Sequence, residues 1–276
     1  MASTAGYSHG ATVGSWANSG SLSDYNLSNS STDTSIHPTF NIGGTNNPFS
    51  TGAMRFVLDS DGNTSQHLHW GTLSDGSGGS INTSSLSADG AFSMYMVVSK
   101  DNADGGNQRR MSSPLWVRGT TAGQSELQSI PAFKINASTN IFVDLEGGAY
   151  TFGTTDYIHR GSGASDMTLS NGDAIIVIVT VDSNGNFSCF DFNAKNFVNE
   201  SKSIGSSPPV GTTVSKGAFI ANSFGGPTQK PTGLLPSGVN DGDAIYIAEF
   251  GFFSKKLEGQ KASSLGRLLK EKYQIS

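Results

Sequence analysis

The run Ala174–Val181 limits what this chain can fold into more than any other segment. It reads Ala-Ile-Ile-Val-Ile-Val-Thr-Val. These residue types favour extended backbone, and the apolar ones fall on both faces of a strand. Asp182-Ser-Asn-Gly-Asn186 follows, then Phe187-Ser-Cys-Phe-Asp-Phe192. Asn184 and Gly185 both tolerate positive φ, so the two runs are expected to form an antiparallel hairpin. In the second arm Phe190 and Phe192 are expected to face the core. A strand that is apolar on both faces needs cover on both.

The same signal recurs along the chain. Ala91–Val98 is strongly β and apolar on both faces, which predicts a central strand. Met54–Leu58, Pro114–Arg118, Ala218–Ala221 and Ala244–Phe253 read as further strands. Ile141–Leu145 and Ala149–Phe152 flank Glu146-Gly-Gly148, a hairpin signal. Helical periodicity occurs once, from about Glu258 to Tyr273. There Ala262, Leu265, Leu268, Leu269 and Tyr273 mark one face. Lys270 and Lys272 sit in its last turn, where the helix dipole favours cations. The face fits a lid on the sheet better than a membrane or partner surface.

Composition agrees. Glycine is 35 of 276 residues, and charged residues are 14% against an average of ~25%. Many short strands with Gly- and Asn-rich turns make an all-β sandwich or jelly roll, and spacing does not separate these from a barrel. No internal repeat or hinge divides the sequence, and Gly205-Ser-Ser-Pro-Pro-Val-Gly211 reads as a loop. Residues 1–276 are therefore expected to form one domain.

The two ends carry a family resemblance. Gly10-Ala-Thr-Val-Gly-Ser-Trp-Ala-Asn-Ser-Gly20 is followed by Pro38 and Met54-Arg-Phe56. Ile247-Ala-Glu-Phe-Gly-Phe-Phe-Ser-Lys-Lys-Leu257 precedes the helix and Glu271-Lys-Tyr-Gln-Ile275. In order and spacing these resemble laminin-G-like, concanavalin A-like domains of bacterial and bacteriophage proteins. The resemblance covers nearly the whole chain. It implies a two-sheet concanavalin A-like jelly-roll β-sandwich with one C-terminal α-helix, a fold shared by lectins, glycan hydrolases, adhesion modules and virion proteins. Trp16 is expected to bury beside the final strand rather than serve as a sugar platform, with Phe250, Phe252 and the helix closing the other end.

Charge and cysteine content bound the partners. The net charge is −5, and no basic cluster exceeds Arg109-Arg110, so nucleic acid is not an expected partner. The longest apolar run falls short of the ~20 residues that span a bilayer. Met1-Ala-Ser-Thr-Ala-Gly6 lacks the features of a secretory signal, and the single Cys189 excludes an internal disulfide framework. An exterior-type composition without disulfides predicts synthesis in a host cytoplasm without a signal peptide and exposure at lysis, as on a bacteriophage virion. An intracellular protein, or an exported one whose leader is missing from this sequence, is the plainer alternative.

Catalytic patterns are sparse. Asp144-Leu-Glu146 is the one Asp-x-Glu in a strand-like setting. Retaining hydrolysis needs two carboxylates ~5–5.5 Å apart, but hydrolases of this fold resemble Glu-x-Asp-x-x-Glu, and the third carboxylate is missing. No nucleophile elbow frames a serine. Cys189, in a predicted strand, reads as an inert thiol. The chain is expected not to be an enzyme.

Binding patterns are better represented. His67 and His69 alternate onto one face, the geometry of a zinc pair lacking a third ligand. With Trp70 they form a glycan platform, or else a polar exposed face. Asp59-Ser-Asp-Gly-Asn63 resembles part of a calcium loop, but Trp70 stands where an EF-hand needs Glu, so calcium is the one cofactor suggested and no metal ligand set is assigned. Trp116, Tyr150 and Tyr157 join His67, His69 and Trp70 as candidate ligand-binding residues. The polar stretches Gly71–Gly90 and Asp101–Arg110 read as binding loops, assembly arms or plain solvated loops. Arg109 and Arg110 are the candidate assembly contacts.

Three functions follow. The first is a non-enzymatic structural protein of a bacteriophage virion, a capsid decoration protein or a fibre or appendage subunit. It would contact other virion proteins, form a homo-oligomer (a trimer by preference) and adhere to host-surface glycans. The second is a carbohydrate-binding module or lectin without a virion. The third, a laminarinase-like glycoside hydrolase, has the missing carboxylate against it.

Overall fold

The structure, a computed structural model, describes residues 6–17, 19, 27–28, 32–57, 66, 68–70, 81–82, 91–101, 109–112, 116–118, 127–129, 132–136, 141–144, 157–159, 172–183, 186–192, 197–203, 213–214, 219–220 and 244–275. The strands run in chain order as β1 (Ser15–Trp16), β2 (Leu27–Ser28), β3 (Thr39–Asn41), β4 (Ala53–Val57), β5 (Leu68–Trp70), β6 (Ile81–Asn82), β7 (Phe92–Asp101), β8 (Arg109–Ser112), β9 (Trp116–Arg118), β10 (Leu127–Ser129), β11 (Ala132–Asn136), β12 (Ile141–Asp144), β13 (Tyr157–His159), β14 (Ala174–Val181), β15 (Asn186–Phe192), β16 (Phe197–Ser203), β17 (Thr213–Val214), β18 (Phe219–Ile220) and β19 (Ala244–Phe253); α1 (Gly259–Lys272) follows.

Seven strands form the main sheet in the order β16-β15-β14-β7-β19-β4-β3, each pair antiparallel. The expected hairpin closes with Val181 opposite Phe187. β7 lies between β14 and β19, and Ser93–Ser99 are all buried. The double apolar pattern of Ala91–Val98 thus has its predicted cause. The free edge of β3 is covered by the N-terminal segment. Gly10 N–H donates to the Phe40 carbonyl at 2.7 Å, and Phe40 N–H donates to that of Ala11 at 2.8 Å. Covering an edge removes a template for unwanted pairing.

Both faces of the main sheet are packed. On one face Tyr95, Val97, Ile176, Ile178, Tyr246 and Ala248 meet Ala262 and Leu269 of α1, with Leu257 and Ile275 beside them. On the other face Met94, Met96, Val98, Ile175, Val177, Ile247 and Phe250 are buried. Trp16 of β1 packs edge-on against Phe250 there, with ring centroids 5.4 Å apart. Trp16 and Leu68, both fully buried, belong to a second sheet, β1-β2-β5-β18. The expected burial of Trp16 beside the final strand is what the structure has, but Phe250, expected at the other end with the helix, packs against Trp16 on the face away from α1.

The architecture is mostly β, antiparallel throughout the described pairings, with one C-terminal helix, and it is consistent with a β-sandwich. The sequence predicts two sheets; the described strands pair as five groups, adding β13-β12-β11-β8, β10-β9 and β17-β6. Both sides of β12 are occupied, by β11 and β13. The partner of Ile141–Asp144 is therefore Tyr157–His159, not the predicted run Ala149–Phe152, which lies outside the described residues.

Candidate functional site

The apolar alternation of β19 changes phase partway along. Ile245 and Ile247 are odd-numbered; Phe250 and Phe252 are even-numbered. One strand can keep both pairs on one face only by gaining a residue, and the register shifts between Ile247, opposite Val98, and Glu249, opposite Val97. Such a bulge sets two residues opposite one. Ala248 and Glu249 therefore both turn toward α1. Without it, Glu249 would point into the apolar space that holds Phe250 and Trp16.

Glu249 is 3% exposed, and three donors converge on it. Tyr95 Oη donates to Oε1 at 2.7 Å. Tyr273 Oη donates to Oε2 at 2.7 Å, and Lys272 Nζ donates to the same oxygen at 2.5 Å. The Lys272 ammonium also lies 5.2 Å from the centroid of the Tyr273 ring, within cation–π range. Burial by itself raises a carboxyl pKa. Here the hydrogen bonds from Lys272, Tyr273 and Tyr95 and the charge of Lys272 outweigh it, and Glu249 titrates below its ordinary value. Burial, reinforced by the carboxylate, pushes both tyrosines well above theirs.

Local structure holds the donors in place. The strap before α1 is tied to β7 by Ser93, whose Oγ accepts from Leu257 N–H at 2.8 Å and donates to the Lys255 carbonyl at 3.0 Å. Beyond the helix, Gln274 takes a left-handed φ of 53°. Gln274 N–H then donates to the Glu271 carbonyl and Ile275 N–H to that of Lys270, a Schellman close. This close delivers Ile275 into the core and sets the Tyr273 ring edge-on against Phe49, 5.8 Å between centroids. Gly251, opposite Tyr95, leaves room for the tyrosine ring.

Chemically this cluster is a clamp. Both carboxylate oxygens are engaged, and burial leaves no approach for a substrate. A charge-assisted hydrogen bond contributes about 1.5–3 kcal/mol, offset by the cost of burying the charge. Glu249 fastens helix to sheet. Ile247-Ala-Glu249 and Lys272-Tyr-Gln-Ile275, from the two runs that carry the C-terminal resemblance, meet in this clamp, a juxtaposition that neither run discloses alone.

The candidate ligand residues divide among the smaller sheets. His69 and Trp70 lie on β5, between β2 and β18. Leu68 faces the core, so position 70 shares its side of that sheet and position 69 falls on the other. Trp116 opens β9, which pairs with β10, and β9 approaches β18 to within 8 Å between Cα atoms. β18 thus brings the strand of Trp70 and the strand of Trp116 into one neighbourhood. Tyr157 and the Arg109-Arg110 pair sit on opposite edge strands, β13 and β8, of another sheet, so they do not meet the first group through pairing. The side chains of His69, Trp70, Trp116, Tyr157, Arg109, Arg110, Cys189, Phe190 and Phe192 are outside the description. His67, Tyr150, Glu146, the Asp59–Asn63 loop and the polar stretches 71–80 and 83–90 lie outside the described residues altogether. Among the described residues no three His, Cys, Asp or Glu side chains are grouped to hold a metal, and no described helix is long and apolar enough to cross a membrane.

No protein-family model matches the chain, and no curated protein matches it. Solved structures do. A botulinum neurotoxin type C structure, whose cell entry is described as dependent on two ganglioside molecules, matches over 94% of this chain and 51% of its own, at TM-score 0.50 and 11% identity. The binding domain of botulinum neurotoxin DC in complex with rat synaptotagmin II matches over the same shares, at TM-score 0.50 and 10% identity. The Ruminococcus gnavus IT-sialidase CBM40 bound to α2,3-sialyllactose matches 64% of this chain and 82% of its own, at TM-score 0.40 and 12% identity. The chain spans about half the length of the neurotoxin domains. At these identities the likeness is one of fold.

Proposed function

We propose that this chain is a non-catalytic recognition domain, a jelly roll of the concanavalin A type, that adheres to surface glycans. The observation that carries the reading is the neighbourhood of β5, β18 and β9, which supplies His69 and Trp116 from two different strand pairs. Sugars stack on exposed aromatic rings, and Asn, Asp and backbone groups supply the directional hydrogen bonds. The use of Glu249 as a clamp supports a binding role, since this buried acid is committed to structure. The fold likeness to a neurotoxin described with gangliosides points to sialylated oligosaccharides as the first ligands to try; fold by itself hosts many activities. The test is a glycan array, then calorimetric titration of the best ligand with His69→Ala and Trp116→Ala. Each variant is expected to weaken binding about tenfold or more with an unchanged circular dichroism spectrum. A blank array, or a double variant that binds like the parent, refutes the reading.

A bacteriophage particle is the setting we propose for this adhesion, with the chain as a decoration or appendage subunit beside other virion proteins. One cysteine in a chain rich in Gly, Ser, Thr and Asn supports it. Labelling of intact particles with an antibody against the chain tests the setting, and particles that carry no label refute it.

A further inference from the structure

The second sheet sorts its residues into rows. β1, β2, β5 and β18 pair side by side. Ser15 stands opposite Ser28, Ser28 opposite His69, and His69 opposite Phe219. Residues directly opposite one another share a face of the sheet. The next row is Trp16, Leu27 and Trp70, and Leu68 stands opposite Ile220. Alternation puts these residues on the other face. Described side chains decide which face is which. Trp16 and Leu68 are fully buried, and Trp16 meets Phe250 of the main sheet. Ser15 is exposed. The row Ser15, Ser28, His69, Phe219 therefore stands on the side away from the main sheet, and position 70 on the side toward it. Residue types agree. The inner positions are all large and hydrophobic, while the outer row combines two hydroxyls, an imidazole and a phenyl ring.

We infer that this outer row is the contact line of the adhesion site, with Phe219 as its stacking platform, and that it takes the uncharged rings of an oligosaccharide laid across the strands. The inference rests on the glycan reading above and names the residues and the part of the ligand that meet. Three strand spacings make the row about 14 Å long, an elongated contact rather than a socket for one ring. A sugar ring offers an apolar face and a rim of hydroxyls. A phenyl ring suits the first. Serine hydroxyls and a neutral imidazole, each able to donate and to accept, suit the second. No Lys or Arg stands in the row, so it lacks the cation that recognises a carboxylate. Both ends of the row are marked by aromatic residues. At β1 the Tyr7 hydroxyl donates to the Ser15 carbonyl. At β18 the strand that opens with Trp116 approaches. The sequence offers Trp70 as a platform, but its position belongs to the core-facing row, and Phe219 stands in its place.

The test has two arms, both on the full chain. The first needs no ligand. Ser28→Cys and Leu27→Cys, each in a Cys189→Ser background, are treated with a hydrophilic maleimide. Ser28→Cys is expected to label in the native protein, and Leu27→Cys only in urea. A native Ser28→Cys thiol that resists labelling overturns the inference. The second arm is an array of oligosaccharides printed in pairs, with and without a terminal sialic acid. The parent is expected to bind both members of a pair within about tenfold, and Phe219→Ala and His69→Ala are each expected to weaken binding about tenfold or more. Should Phe219→Ala lose its native circular dichroism spectrum, Phe219→Leu, which keeps bulk without an aromatic ring, is expected to weaken binding likewise. Row variants that bind like the parent while Trp116→Ala does not overturn the row and leave the adhesion reading standing. Binding that vanishes with the sialic acid assigns the contact to a carboxylate site off the row and overturns the inference too. A parent that leaves the whole array blank overturns the adhesion reading, and the row falls with it.

Discussion

Replacing Gly251 with alanine is predicted to break the clamp from a distance. A Cβ at 251 would lie 2.1 Å from Cε1 of Tyr95, 2.6 Å from its Cζ and 2.8 Å from its hydroxyl. Ordinary carbon contacts are ~3.5–4.0 Å, so the ring must move by more than an ångström. It has nowhere to go, because Tyr95 is fully buried and its hydroxyl is held 2.7 Å from Glu249. Overpacking costs about 1–3 kcal/mol, and loss of a hydrogen bond to a charged group costs about 1.5–3 kcal/mol. The sum is a loss of about 2.5–6 kcal/mol, which is severe beside a typical stability of about 5–15 kcal/mol. Urea unfolding followed by tryptophan fluorescence measures it. The decisive control is Tyr95→Val, which removes the ring. In that background Gly251→Ala is predicted to cost less than about 1 kcal/mol, since alanine otherwise suits a strand better than glycine. A single variant within about 1 kcal/mol of the parent, or the same loss in both backgrounds, refutes the reasoning.

The clamp also sets the response to pH. Glu249 has a depressed pKa, so its contribution is present above the ordinary carboxyl range and is lost as pH falls through the depressed value; Glu249→Gln is predicted to flatten that acid limb in urea titrations. Tyr95 and Tyr273 have raised values, so their contribution is full below pH ~10 and is lost above it. The unfolded chain ionises both while the folded one keeps its protons, which gives about 1.4 kcal/mol per pH unit for each tyrosine, and Tyr273→Phe is predicted to halve that alkaline slope. Gln274→Gly, which relieves a side chain at positive φ, is predicted to stabilise by about 0.5–1 kcal/mol in thermal unfolding. Neighbouring leucines separate the two helix faces: Leu269→Ala is predicted to cost about 2–5 kcal/mol, Leu268→Ala less than about 0.5 kcal/mol in dilute solution.

Long strands and the helix were legible in the sequence because their periodicities run for many residues. Ala174–Val181 pairs with Asn186–Phe192 as the expected antiparallel hairpin, and the predicted helix from about Glu258 to Tyr273 is observed at Gly259–Lys272. β16, reading Phe-Val-Asn-Glu-Ser-Lys-Ser, was not legible, since an edge strand with polar residues at both parities carries no alternation. Pieces such as β1, β2, β6, β17 and β18 span two residues each, too few for any period to register. The clamp was half visible. The phase break between Ile247 and Phe250 announces a bulge, and a lone glutamate in an apolar strand announces a buried charge. That its partners are Tyr95, Lys272 and Tyr273 depends on strand order and on the exit angle of the helix, which no local pattern encodes. Trp70 and Trp116 were chosen by residue type, and their shared neighbourhood depends on β18, whose two residues gave no sign of linking them.

The position of β19 has a consequence for how this protein is made. It lies between β7 and β4, yet 186 residues separate Val57, the end of β4, from Ala244, where β19 begins. At about 5–20 residues per second, the ribosome needs about 10–40 s to cover that interval. Once β7 has been made, it and β4 lack the strand that joins them for the rest of the interval, and Met54, Phe56, Met96 and Val98 lack part of their cover. The main sheet is therefore completed only near the end of synthesis, from its interior rather than its rim. A chain arrested before residue 244 presents two apolar edges around an open slot, the kind of surface on which nascent chains aggregate or a chaperone holds.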